Sequence, residues 1–423
     1  MLIAIGVGLL LVLLLGGLPI AFSLGLTGLL LLYLIIGESV MMAVPQMMFV
    51  AVDSFTLLSI PFFILTADLL IASGATKRLI EAVETLMGHW RGGLATVGVA
   101  TCAFFSAVSG SSAATAVAVG SVLVPEMIRR GYHPAYSAGL VAVGGGLGIL
   151  IPPSIPMIVY GAVAEESVGR LFIAGVLPGL VLTLALMAMG MYMLGRGREP
   201  LPRAAWRTRV RAIREAIWII LLPVIIAVLI YGGIATPTEA AGVSVVYALF
   251  CSFFIYKDMR VKDLPRVLAD AGGKSAMILL IIAGATVFGY VLTLLQIPQT
   301  VTGAVLSSEL TPSLFLLIVN GILLVLGMFL DITSILLLTS PIFLPIVEQL
   351  GIDKVHFGMV FVLNMELALI TPPLGIHLFI LSSITGLPVA TVFKGVIPFT
   401  LVAVLVLVLV TYVPALSLLL IGR

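Results

Sequence analysis

The chain has 423 residues, 61% of them hydrophobic and only 9% charged, with a formal net charge of +2. Its mean hydropathy of +1.29 excludes a soluble globular domain, and its many apolar runs of about 20 residues or more are long enough to cross a bilayer as helices. The roughly 10-residue alternating segments of a membrane β-barrel are absent, so the expected fold class is an all-α polytopic membrane protein.

In chain order, residues 1–74 read as scaffold helices. The apolar amino terminus, with no basic region, reads as a first span rather than a cleaved signal. Asp53 and Asp68 are expected near an interface. Residues 75–91 alternate charge with apolar positions and fit a helix lying at the interface; Lys77, Arg78 and Arg91 put it on the cytoplasmic side. Residues 92–130 follow. The stretch 92–124 is about 33 residues long, too long for one span at about 1.5 Å per residue. Its middle, SAVSGSS at 106–112, breaks a helix, so a re-entrant hairpin is expected. Both ends are cationic, with Arg129 and Arg130 at the far one. Residues 134–164 form a helix broken at Pro152-Pro153, where each proline removes a backbone donor. In lipid, freed carbonyls cost several kcal/mol unless another group satisfies them. Residues 170–195 complete the first half.

Residues 196–214 carry Arg196, Arg198, Arg203, Arg207, Arg209, Arg211 and Arg214 and read as a cytoplasmic linker, with topology signalling and lipid contact as its roles. A nucleic-acid role does not suit a short loop between spans. In the second half, 215–296 are scaffold helices. Thr236-Pro237-Thr238-Glu239 is a capping box with proline just inside the helix, and Glu239 is read as part of the cap. Residues 258–274 form a second candidate interfacial helix. A hairpin at 312–350, a helix over 355–385 broken at Pro372-Pro373, and a helix at 395–420 close the chain. Cys102 and Cys251 lie in apolar runs, suggesting neither disulfide nor metal site.

The halves repeat. Adding 220 maps Pro125 onto Pro345, Pro152-Pro153 onto Pro372-Pro373, Gly175 onto Gly395 and Pro178 onto Pro398. Six prolines in one window and five in the other would superpose about half a proline by chance; four coincide. The first hairpin is flanked by cations and the second by Glu309, Glu348, Asp353 and Lys354, an acidic-leaning set. The same element would therefore enter from opposite sides, which defines an inverted-topology repeat, 1–195 against 215–423. Under this topology 18 of the 21 cations are cytoplasmic, Arg170, Lys354 and Arg423 being the exceptions, and both termini lie outside.

A sodium ion needs about five or six oxygen ligands, and transporters draw them from unwound backbone. The parts are present at 106–112 and 144–154, which include Ser154, and at Gly327, Asp331, Thr333, Ser334, Ala368, Thr371 and Pro372. Half-helices starting after Pro153 and Pro373 would point positive dipole ends inward, suiting an anion. Taken singly, each serine more commonly bonds its own i−4 carbonyl. A carboxylate at depth is costly and marks function by default, which singles out Asp331; Glu366 either pairs, is protonated or functions. His377 reads as a packed side chain rather than a proton relay.

The segments 58–70 (LSIPFFILTADLL), 106–112 (SAVSGSS), 150–156 (LIPPSIP), 235–242 (ATPTEAAG) and 371–375 (TPPLG) resemble the large membrane subunit of tripartite ATP-independent periplasmic (TRAP) transporters, along essentially the whole chain. The resemblance implies an elevator-type, sodium-coupled importer of an organic anion, a carboxylate or sugar acid, in the bacterial inner membrane. It implies two partners, a small four-helix membrane subunit and a periplasmic substrate-binding protein, neither contained in this chain. It implies two Na+ sites: Ser106, Ser109, Gly148, Ile151 and Pro152 for one, and Gly327, Ala368, Thr371 and Leu374 for the other. Ala368 stands where glycine is expected in relatives. The residues selected for substrate are Ser109, Ser154 and Asp331, the last with tuning of the ion site as its alternative role. The alternatives are a stand-alone dicarboxylate:sodium symporter of related fold, a channel, or an intramembrane enzyme; the last would need a catalytic cluster at one depth, which the sequence does not supply.

Overall fold

The structure, a computed structural model, describes residues 2–90, 92–194 and 202–422; Arg91, Arg196, Arg198 and Arg423 lie outside the described residues. The first half contains α1 (Leu2–Leu15), α2 (Ile20–Ile36), α3 (Val40–Val52), α4 (Ser59–Ala72), α5 (Ala75–Met87), α6 (Leu94–Ser109), α7 (Ser112–Arg129), α8 (Pro134–Leu150), α9 (Ile155–Ala164) and α10 (Val168–Leu194). The second contains α11 (Trp206–Tyr231), α12 (Pro237–Phe250, extended by a π-helical turn Cys251–Tyr256), α13 (Leu264–Leu294), α14 (Ile297–Ser307), α15 (Pro312–Gly327), α16 (Ile332–Gln349), α17 (Lys354–Ala368), α18 (Ile376–Thr385), α19 (Val389–Tyr412) and a short α20 (Ala415–Leu418). Among the described residues no strand occurs, and eight helices are long and apolar enough to cross a membrane, nine if the bent pair α4 and α5 counts as one span.

The helices reflect their sequences closely. Ser73 and Gly74, the latter at φ 65°, separate α4 from α5, and the two axes differ by 73°. A helix is present within the segment expected at 75–91, ending at Met87. The one expected at 258–274 is not a separate element. A short 3-10 turn over Val261–Asp263 runs straight into α13, giving one helical stretch of 34 residues. Its charged start lacks a breaker, because Gly272-Gly273 cost a helix only about 1 kcal/mol each. That length, about 51 Å, exceeds the roughly 30 Å apolar layer, so the charged end projects beyond it. Helix α11 likewise begins inside the segment read as linker, and Arg207, Arg209, Arg211 and Arg214 are helical.

The spacing of 220 holds for element bounds as well as for prolines. Helices α7 and α16 start and end 220 residues apart, as do the starts of α8 and α17. The counterpart of α5 is α14, a helix the sequence analysis left unassigned between 296 and 312; both end at positions 220 apart. Helix α19 accordingly starts at Val389, earlier than the expected 395, and carries Pro398 inside it as α10 carries Pro178.

Two groups of helices result. Helices α2, α3, α4, α12 and α13 pack together; α6 to α10 pack with α15 to α20. Helix α5 touches α11 on one side and α6 on the other. Lipid tails are as apolar as leucine, so contact between helices depends on close approach and polar bonds. Gly28 of α2 is so near α13 that an added methyl would stand 2.9 Å from the Phe288 nitrogen, and one at Gly139 of α8 would stand 2.2 Å from the Gly395 carbonyl of α19. Thr66 and Ser244 share a hydrogen bond of 2.8 Å between α4 and α12. Asn364 donates to the Asn320 side-chain oxygen at 2.9 Å, and Asn320 donates to Thr411 at 3.0 Å, tying α17, α15 and α19. Helices α8 and α17 are buried along almost their whole length, at the centre of the second group.

The Thr236 hydroxyl accepts from the Glu239 N–H at 3.3 Å, and the Glu239 carboxylate accepts from the Thr236 N–H at 2.8 Å, so the expected capping box is formed. Thr236→Ala is expected to remove about 1 kcal/mol, read as a lower thermal midpoint of the purified protein; an unchanged midpoint would make the cap dispensable.

Candidate functional site

Helix α6 ends at Gly110, which adopts a left-handed φ of 61° that glycine accepts without steric cost. A methyl group there would also stand 2.8 Å from the Pro153 carbonyl oxygen. Ser111 then caps α7, its hydroxyl accepting from the Ala114 N–H at 3.3 Å. Thr115 donates to the Ser111 carbonyl at 2.9 Å and lies 3.0 Å from the Ser109 hydroxyl. The tip rests on the break between α8 and α9. The Ile155 N–H donates to the Gly110 carbonyl at 3.1 Å, and a methyl at Gly148 would meet the Ser111 carbonyl oxygen at 2.6 Å.

The proline pair frees particular acceptors. The last regular bond of α8 runs from Ile151 N–H to the Leu147 carbonyl, 2.8 Å. Pro152 has no N–H for the Gly148 carbonyl and Pro153 none for that of Ile149. The Ser154 hydroxyl donates to the Ile149 carbonyl while accepting from the Met157 N–H at 3.4 Å as cap of α9. Among the described residues no comparable donor stands at the Gly148 carbonyl. Nearby, the Ser106 hydroxyl is buried without a hydrogen-bond partner. The peptide bond within each proline pair, 152–153 and 372–373, is cis.

The second half has the same construction with different capping groups. Asp331 caps α16, accepting from the Ser334 N–H at 3.1 Å and from the Ser334 hydroxyl. Leu374 N–H donates to the Met328 carbonyl at 3.1 Å, joining tip to break. Here the Leu369 carbonyl, orphaned by Pro373, accepts from His377 N–H at 3.1 Å, and the Ala368 carbonyl, orphaned by Pro372, accepts from Thr371 N–H at 3.3 Å. A methyl at Gly327 would stand 2.2 Å from the Ala368 methyl, so Ala368 packs directly on the tip glycine. The Thr371 hydroxyl donates to its own i−4 carbonyl, Leu367, at 2.6 Å.

The candidate sodium residues thus fall into two clusters, one per half, each spanning tip and break. The three substrate candidates do not share one space. Ser109 lines a cavity of about 740 Å³ between the first tip and the helices α4 and α13. Ser154, fully buried, and Asp331, at the other tip, do not line it. The opposite wall carries Asp68 and Lys274, paired at 2.6 Å, with Asp258, Asp263, Arg266 and Asp270 toward the mouth. Lys274 lies 20 residues before the end of α13, about 30 Å along its axis. The cavity therefore lies toward the charged amino-terminal end of α13. The sequence analysis missed Lys274 as a wall residue because it set 258–274 apart from the span; the missing helix breaker was the available signal.

His377 is fully buried, its Nδ1 2.7 Å from the Ala142 carbonyl oxygen, the packed arrangement expected. Glu366 is also fully buried, pressed against Gly146 of α8, and neither carboxyl oxygen has a hydrogen-bond partner. Among the described residues no three His, Cys, Asp or Glu side chains group to hold a metal ion, so cation ligands at the breaks would be backbone and hydroxyl oxygens.

The family described as "Tripartite ATP-independent periplasmic transporter, DctM component" matches residues 7–416. The C4-dicarboxylate TRAP transporter large permease protein DctM of Pseudomonas aeruginosa is 45% identical over 398 residues, 94% of this chain and 93% of its own. The sialic acid TRAP transporter large permease protein SiaM of Vibrio cholerae is 37% identical over 409 residues, 96% of each chain. The fold is shared with two solved structures at low identity. The Alcanivorax borkumensis YdaH transporter superposes with a TM-score of 0.62 at 12% identity over 90% of both chains. Neisseria gonorrhoeae MtrF, from a class of antimetabolite efflux pumps, superposes with a TM-score of 0.63 at 14% identity over 88% of this chain and 83% of its own. An all-helical, multi-span chain matched along nearly its whole length in this way belongs to the DctM component family of tripartite ATP-independent periplasmic transporters, an inner-membrane permease subunit and not an enzyme.

Proposed function

We propose that this permease is the membrane channelling element of a sodium-coupled elevator that imports an organic anion, handed over by a periplasmic binding protein, with a small four-helix membrane subunit beside it. The observation that carries the reading is the recurrence, close to the 220-residue spacing, of a hairpin tip hydrogen-bonded to a broken helix: Gly110 with Ile155 and, 218 and 219 residues further on, Met328 with Leu374. Cationic flanks at the first hairpin and acidic flanks at the second support inverted topology. The two packing groups, which touch where α13 meets α16 and α4 meets α6 and α9, support a division into a fixed and a sliding part.

For sodium, one site comprises the freed Gly148 carbonyl, the backbone around Ile151 and Pro152, the unpartnered Ser106 hydroxyl and Ser109. The other comprises Gly327, Ala368, Thr371 and Leu374. For substrate, Ser109 is the candidate already in the cavity; Ser154 and Asp331 act where the tips meet the breaks. Relatives are named for C4-dicarboxylates, sialic acid and isethionate, all anions, which supports an anionic substrate here.

The test is uptake in liposomes holding this subunit with the small membrane subunit, with and without the periplasmic binding protein. The expected result is uptake of a carboxylate that requires an inward sodium gradient and the binding protein. Equal uptake without sodium refutes the coupling, and full uptake without the binding protein supports the stand-alone symporter instead.

A further inference from the structure

We propose that the pocket between α5 and α11 binds the phosphate of an anionic phospholipid and so pins the α5 arm to the neighbouring span. The pocket holds about 670 Å³ and is lined by Arg78 from α5, Arg211, Arg214, Glu215 and Trp218 from α11, and Tyr256 from the end of α12. Three guanidinium groups face one carboxylate in it.

Each cation is differently placed. Arg78 is held in position: it donates to Asp258 at 2.7 Å and to the Ser73 carbonyl at 3.1 Å, and its guanidinium lies 4.6 Å from the centre of the Tyr256 ring. Arg211 pairs through Nε with Glu215 at 2.9 Å, leaving its terminal nitrogens outward, with the side chain 83% exposed. Arg214 makes no ion pair among the described residues. Spacings of four, three and four put Arg207, Arg211, Arg214 and Trp218 on one face of α11.

The depth suits a headgroup. The buried apolar part of α11 begins at Ala216, immediately beyond the arginines. Trp218 and Tyr256 therefore stand where amphipathic rings collect, at the boundary of the apolar layer. Basic pockets between spans on the cytoplasmic side recognise anionic lipid headgroups, and the guanidinium fork matches two phosphate oxygens at once. A pure topology signal needs the charge on a loop but no recess shared by two helices. The location adds a consequence. Helix α5 follows the 73° bend at Ser73-Gly74 and leads into the α6–α7 hairpin. A phosphate bridging Arg78 to Arg211 and Arg214 would tie that arm to α11.

The experiment is lipid binding to the full chain in detergent, followed by native mass spectrometry, with phosphatidylglycerol, phosphatidylcholine and inorganic phosphate as probes. Phosphatidylglycerol is expected to bind at least ten times more tightly than phosphatidylcholine. The double variant Arg211→Gln/Arg214→Gln is expected to lose about tenfold of that preference. Because these arginines also orient the chain, Arg211→Lys/Arg214→Lys keeps the charge, and it should lose part of the preference if the forked geometry matters. Equal binding of the two lipids, or a preference untouched by the glutamine pair, overturns the site. Displacement of the lipid by millimolar inorganic phosphate also overturns it, in favour of a soluble anion.

Discussion

Gly148→Ala is expected to reduce uptake by about a hundredfold while leaving the protein inserted and folded. The added methyl would stand 2.6 Å from the Ser111 carbonyl oxygen, 2.7 Å from its carbon and 2.8 Å from the Ser112 Cα. All three are backbone atoms, so no side chain can swing aside, and the α6–α7 tip must move off the α8–α9 break. That separates Ser109 and Ser106 from the carbonyls freed by Pro152 and Pro153. Misplacing a site by about 1 Å can cost on the order of 10²-fold in rate. The helix itself would not suffer, since alanine is a better helix former than glycine by about 1 kcal/mol. Gly242→Ala is the matched control, with no heavy atom within 4 Å of the new methyl, and should transport as the parent does. Parent-like uptake by the Gly148 variant would mean that contact between tip and break does not build the site.

Asp331→Ala should abolish uptake and leave the fold intact. Its carboxylate caps α16 through the Ser334 N–H and hydroxyl, and losing a cap costs about 1 kcal/mol, too little to unfold the bundle. The cap alone would not require a charge, because asparagine caps as well as aspartate. A carboxylate kept at membrane depth is expensive unless it does something more. Asp331→Asn therefore separates the roles. Uptake lost in both variants assigns the function to the charge; uptake retained in the asparagine variant assigns it to the cap. Normal uptake by the alanine variant removes Asp331 from the mechanism.

Legibility followed the range of the interaction concerned. Pro152-Pro153 and Pro372-Pro373 locate both breaks, because a missing N–H is a property of the residue itself. The Thr236 capping box involves neighbours within four residues and was readable for the same reason, as was the boundary at 74/75, though not the 73° bend there. The fate of 258–274 was not, since charge alternation describes a helix face but not where the helix stops. Nor could spacing tell which group would satisfy each orphaned carbonyl. A serine hydroxyl serves Ile149 and the His377 N–H serves Leu369, at positions the repeat makes equivalent.

Composition, hydropathy and the two proline pairs by themselves determined a helical membrane protein with two defects spaced 220 residues apart. Tertiary structure alone decided what those defects face. The packing brings Gly110 onto Pro153, Gly327 onto Ala368 and Glu366 onto Gly146, and it opens the first tip, but not Asp331, onto the cavity walled by Asp68 and Lys274. Such contacts join residues far apart in the chain. They depend on the approach of two helix surfaces, which no local pattern of residues encodes.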